Sequence, residues 1–150
     1  MLLNCHTYYS FCYGTLSVDE LYNEVEQKAY PAFVLADINN TSAILDALRL
    51  GKDRNAKIIP GIDFRNGVKQ KYIGIAQNNE GFKELNEHLS KHLHAKENFA
   101  DRAPDFTNVY VVYPLKSYKG WPLRANEFIG VNAKELLSLP FKNKKNYKHK

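Results

Sequence analysis

A histidine and two aspartates each follow a short apolar run, and that placement is what could do chemistry in this chain. Asn4 and His6 close Leu2-Leu3-Asn4-Cys5-His6, Asp37 follows Ala32-Phe33-Val34-Leu35-Ala36, and Asp63 ends Lys57-Ile58-Ile59-Pro60-Gly61-Ile62. Residues two apart on a strand leave the same face, roughly 6–7 Å apart along the backbone, so a pair such as Asn4 and His6 can converge on one ion. Imidazole nitrogen and carboxylate oxygen are the donors that divalent metals take. His6, Asp37 and Asp63 are therefore candidate metal ligands, with Asn4 a weaker fourth. Thr7, Tyr9, Ser10 and Asn39 are candidates for the surrounding rim. Aspartates at strand ends also suit plain capping of the next turn, and both readings stay open on the residues alone.

Three strands must bring these side chains together. Leu2–Cys5 reads as the first. Ser17 and Glu20 form a capping box for a helix carrying Leu21, Tyr22, Val25 and Ala29 at helical spacing, which stops before Pro31. The second strand, 32–36, is apolar throughout, as a strand covered on both faces should be. Thr41 is placed to cap a helix from Ser42 to about Arg54, with Ile44, Leu45, Leu48 and Leu50 as its buried side. The third strand covers 57–63. Crossovers of about 25 residues demand parallel strands with right-handed connections, which puts His6, Asp37 and Asp63 on one rim.

Beyond that rim the pattern changes. Asn66-Gly67 signals a hairpin whose return strand runs from about Val68 to Ala76. Asn78–His92 reads as a helix with Phe82, Leu85, Leu89 and Leu93 as its stripe. His88, His92 and His94 lie towards its end, where positive charge suits the helix dipole, and they lack a third ligand at fitting spacing. Residues 95–107 read as a surface loop, 109–113 as a central strand, 114–124 as an excursion around Trp121. A last strand, 127–131, precedes a short helix over 133–139 capped by Asn132.

Composition excludes several classes. At 150 residues with 44% hydrophobic and 25% charged side chains, this is an ordinary globular composition able to fold without disulfides. No apolar run is long enough for a membrane span, no signal peptide is visible, and Cys5 and Cys12 suit a reduced, cytoplasmic setting. Five lysines within residues 142–150 account for the entire formal charge of +5. The expected division is thus a domain over 1–141 and a basic, disordered tail over 142–150. The tail does not look like a natural terminus, which suggests a piece of a longer protein.

The motifs His6-Thr7-Tyr8-Tyr9-Ser10, Leu35-Ala36-Asp37, Pro60-Gly61-Ile62-Asp63 and 72–82 together resemble the N-terminal polymerase-and-histidinol-phosphatase (PHP) domain of bacterial DNA polymerase III alpha subunits. The resemblance runs from residue 2 to about 93, in order and at the right spacing. It implies an α/β fold, part of a distorted (β/α)7 barrel with parallel strands and an inserted β-hairpin. It also implies a rim that in active members holds three divalent ions (Zn, Mn or Mg) and hydrolyses phosphoesters. Three positions depart from the family pattern. Asn4 stands for the first His, Ile38 for the His of Thr-Asp-His, and Asp63 for Glu. Asn offers a neutral oxygen, Ile no lone pair, and Asp a reach shorter by about 1.5 Å. What remains suits one weakly held ion or none, and no residue is assigned as catalytic.

The resemblance therefore implies a degenerate, structural PHP fragment of a replicative polymerase. Its partners would be the rest of the alpha subunit, other replisome subunits and, through the parent protein, DNA. The alternative is an active metal-dependent phosphoesterase or 3′–5′ exonuclease completed by residues outside this chain. A nucleic-acid-binding module working through the basic tail ranks behind both, because residues 1–141 are formally neutral. Open strand edges would favour homo-oligomers.

Overall fold

In a computed structural model, residues 1–138 are described; the basic segment 142–150 lies outside them. Six strands form one curled sheet in the order of the chain: β1 (Leu2–Cys5), β2 (Ala32–Leu35), β3 (Lys57–Asn66), β4 (Lys69–Ala76), β5 (Val109–Pro114) and β6 (Glu127–Gly130). The helices are α1 (Val18–Gln27), α2 (Ile44–Leu50), α3 (Asn79–Ala95) and α4 (Ala133–Ser138), and a 3₁₀ turn, Gly51–Asp53, follows α2. No helix among the described residues is long and apolar enough to cross a membrane.

The expected run of parallel strands holds only in part. β1, β2 and β3 are mutually parallel, but β4 lies antiparallel to both β3 and β5, and parallel pairing resumes between β5 and β6. The physical reason is the tight turn after Asn66. A two-residue loop, Gly67–Val68, reverses the chain with Gly67 at φ 58°, which an L side chain tolerates poorly. The hairpin is consequently not an insertion: β4 is a central strand of the sheet. Asn66 itself ends β3 and clamps the backbone of Phe99 through both ends of its carboxamide, at 2.9 Å each.

Helices α1, α2 and α3 cover one face. Tyr22, Val25 and Leu21 of α1 and Ile44 and Ala47 of α2 pack on Phe33 and Leu35. The capping box of Ser17 and Glu20 starts α1 as expected. Leu85 and Leu89 of α3 pack on Ile62, Phe64, Tyr72, Val109 and Tyr113. The loop after α3 is more than surface, since Phe99, Ala103 and Phe106 are buried in that same core. On α2 the expectation fails. Thr41 gives its hydroxyl to Asn86 Oδ1 (2.8 Å) instead of capping, the helix is short, and Leu45 is 70% exposed with Leu48 and Leu50 also exposed. Leu93 of α3 is exposed as well.

The other face of the sheet is concave. Leu3, Val34, Ile59, Ile73, Ile75, Tyr110, Val112 and Phe128 line a hollow of about 1240 Å³. Two of its strands, β1 and β6, are the edges of the sheet.

Candidate functional site

The C-terminal ends of β1, β2 and β3 meet. The backbone beyond β2 continues the ladder: Ala36 N–H donates to Cys5 O, Asp63 N–H to Asp37 O, and Asn39 N–H to Asp63 O. Asn39 adopts φ 50°, a left-handed conformation Asn accepts better than most residues. From there its carboxamide accepts from Arg65 N–H (2.9 Å) and donates to Arg65 O (2.8 Å), extending the pairing by one side chain. The rim is thus rigid before any functional group is considered.

Asp37 sits at its centre, 2% exposed. Oδ1 accepts from Thr7 N–H (2.7 Å) and Ser10 O–H (2.6 Å), and Oδ2 accepts from Thr7 O–H (2.7 Å). Ser10 Oγ in turn accepts from Ile38 N–H (3.0 Å) and lies 3.2 Å from His6 Nδ1. Both oxygens of the carboxylate therefore anchor the loop after β1. That loop winds tightly, with Gly14 so close that an added Cβ would stand 1.9 Å from Thr7 O. Tyr9 is on its exposed side, its amide on Thr7 Oγ1 (3.3 Å) and its carbonyl accepting from Asn40 Nδ2 (2.8 Å).

Asp63 is fully buried, and its surroundings differ. Oδ2 accepts from Arg65 Nε (3.0 Å), Arg65 Nη2 (2.7 Å) and Gln70 Nε2 (2.8 Å). Arg65 leaves the same face of β3 two residues later, and Gln70 is its cross-strand partner on β4. The guanidinium lies 4.4 Å over the Tyr13 ring, which also meets His6 edge-on. His6 Nε2 is 3.7 Å from Asp63 Oδ2. Burial lowers the His6 pKa below its usual value, opposed by the Asp63 carboxylate. His6 Nε2 and Asp63 Oδ1 are buried with no hydrogen-bond partner.

His6, Thr7, Ser10, Asp37, Asn39 and Asp63 thus gather at one rim as the spacing requires. Asn4 does not join them at Asp37; it is exposed and lines the hollow beside Leu3 and Gln70. Arg65, Gln70 and Tyr13 belong to the site and were missed. The signal for Arg65 was present in Asp63-Phe64-Arg65, since a strand sends alternate residues to one face. His88 and His92 lie in an aromatic cluster, where His88 Nε2 meets Tyr72 OH at 2.8 Å and His92 stacks on Phe99.

The PHP domain model matches residues 3–120, and the chain belongs to the PHP domain family. Comparison with curated proteins returned no match. Among solved structures, a protein from Bifidobacterium adolescentis provisionally named a metal-dependent phosphoesterase is similar at 17% identity and a TM-score of 0.48. The match covers 62% of this chain and 31% of that one, so the chain spans about a third of its length.

A divalent cluster of the kind the family implies does not fit these residues. Asp37 has both oxygens occupied by protein donors, Ile38 supplies no donor, and Asp63 Oδ2 already carries a guanidinium. Among the described residues no group of three or more His, Cys, Asp or Glu side chains is placed to hold an ion.

Proposed function

We propose that this chain is the N-terminal part of the PHP domain of a bacterial DNA polymerase III alpha subunit, and that its rim is structural. The sequence motifs support the lineage. The observation that carries the structural reading is the occupancy of the carboxylates, with three protein hydrogen bonds on Asp37 and three on Asp63 Oδ2. Two-metal phosphoryl chemistry needs paired ions about 3.5–4 Å apart, with oxygens free to bridge them. On this reading the domain is a scaffold in a cytoplasmic replication enzyme. Its partners are the rest of the alpha subunit and the replisome, and polymerisation is carried by residues elsewhere.

The orphaned His6 Nε2 and Asp63 Oδ1 favour a second reading, an active phosphoesterase or 3′–5′ exonuclease whose metal ligands are completed from outside this chain. Metal analysis and exonuclease assays with Mn²⁺ or Zn²⁺ on the full-length protein separate the two. The structural reading expects fewer than one tightly bound ion per chain and no hydrolysis. Two or more ions, with phosphodiesterase activity lost in Asp37→Asn, would overturn it.

A further inference from the structure

We infer that Arg65 is a built-in cation standing where a metal's charge would otherwise be needed, and that removing it uncovers a latent divalent-cation site at His6 and Asp63. The inference rests on the structural reading of the rim given above.

The argument begins with charge. The Asp63 side chain is 0% exposed and that of Arg65 9%, so each would be left uncompensated without the other. Both guanidinium bonds go to Oδ2, leaving Oδ1 buried and unpartnered. The Arg65 side chain has little freedom to leave. Its guanidinium lies over the Tyr13 ring, its backbone is clamped on both sides by Asn39, and Gln70 shares its carboxylate oxygen. A dication approaching His6 Nε2 and Asp63 Oδ1 would meet that fixed positive charge, in a setting where solvent screens little. With a neutral side chain at 65, the repulsion goes and the carboxylate lacks a counter-charge. His6 Nε2, buried and without a hydrogen-bond partner, then stands 3.7 Å from an oxygen freed of its guanidinium, on a carboxylate whose Oδ1 is also unpartnered. That donor pair suits Zn²⁺ or Mn²⁺.

The test uses metal-stripped full-length protein and follows thermal unfolding with and without about 1 mM Mn²⁺ or Zn²⁺, since a ligand of the native state raises the midpoint. Wild type is expected to shift by less than about 1 °C on adding either ion. Arg65→Gln should melt roughly 5–10 °C lower and regain part of that loss with the ion. Arg65→Lys, which keeps a charge, should stay insensitive to metal. The double variant Asp63→Asn/Arg65→Gln removes both charges; it should recover stability relative to Arg65→Gln and ignore metal. If Arg65→Gln does not fold in metal-free buffer, refolding with and without Mn²⁺ asks the same question, and recovery only with the ion supports the site. An Arg65→Gln protein as stable as wild type overturns the counter-charge role. A destabilised one with no metal response overturns the latent site. Wild type that already holds two or more ions overturns the structural reading itself, whatever the variants do.

Discussion

Thr7 meets Asp37 twice, through its amide at Oδ1 and its hydroxyl at Oδ2, both at 2.7 Å, and together with Ser10 it engages both oxygens of a buried carboxylate thirty residues away. The side chain at the end of β2 therefore fixes the loop that leaves β1. Its three hydrogen bonds hold that backbone in place.

Asp37→Ala should accordingly lower stability by about 2–4 kcal/mol, because three donors are left unmatched in the interior. Asp37→Asn should lose less, since one oxygen can still accept. Urea denaturation of the two variants checks the order. A chelator such as EDTA should leave the wild-type midpoint unchanged in the same experiment.

A second prediction concerns acid. Burial, with His92 and Lys91 nearby, lowers the His88 pKa from 6.5 to about 4. The unfolded chain then binds this proton first as pH falls, so the contribution is fully present above about pH 6.5 and lost progressively towards pH 4. Discounted for partial solvent access, the loss is about 1–2 kcal/mol. His88→Gln keeps a group for the Tyr72 hydroxyl and removes the titration. Thermal midpoints measured from pH 7 to 4.5 should fall less steeply in the variant than in wild type.

Glu127 supplies a third. Its carboxylate, with side chain fully buried, accepts from Tyr113 O–H (2.7 Å), Arg102 Nη2 (3.0 Å), Arg124 Nη1 (3.1 Å) and Arg124 N–H (2.8 Å). Burial pushes this carboxyl up, but those donors outweigh it and hold its pKa below the usual value. Glu127→Gln should cost about 3 kcal/mol, as breaking one side of a buried charge cluster does. Because Arg102 and Arg124 tie residues 99–126 to β6, limited proteolysis should then cut first within that stretch.

Which parts were legible in the sequence follows from what each signal encodes. Alternation and apolar runs report burial, so β1, β2, β3 and β5 could be placed, and Ser17 with Glu20 marked the start of α1 through backbone groups two residues could satisfy. Leu45, Leu48 and Leu50 misled because helical spacing says which residues share a face, not whether anything covers it. Ser10, Thr7 and Asp37 share one rim, yet periodicity cannot tell a carboxylate that binds an ion from one held by an amide and two hydroxyls. That distinction lies in hydrogen-bond partners 27 to 30 residues apart, Asp37 to Ser10 and Thr7. Arg65 was readable by spacing alone, but only once Asp63 was known to be enclosed and short of a counter-charge. Central placement of β4 depended on a pairing choice, with β5 docking on its free edge, which a local turn motif does not determine.

Because the order of strands in space is their order along the chain, every neighbouring pair can close without waiting for a distant segment. Loop-closure entropy is smallest across Gly67–Val68, so the β3–β4 ribbon costs the least chain entropy to form. The rim holding Asp37 and Asp63 is complete only once β1 has paired with β2, because Thr7 and Ser10, which Asp37 holds, follow that edge strand.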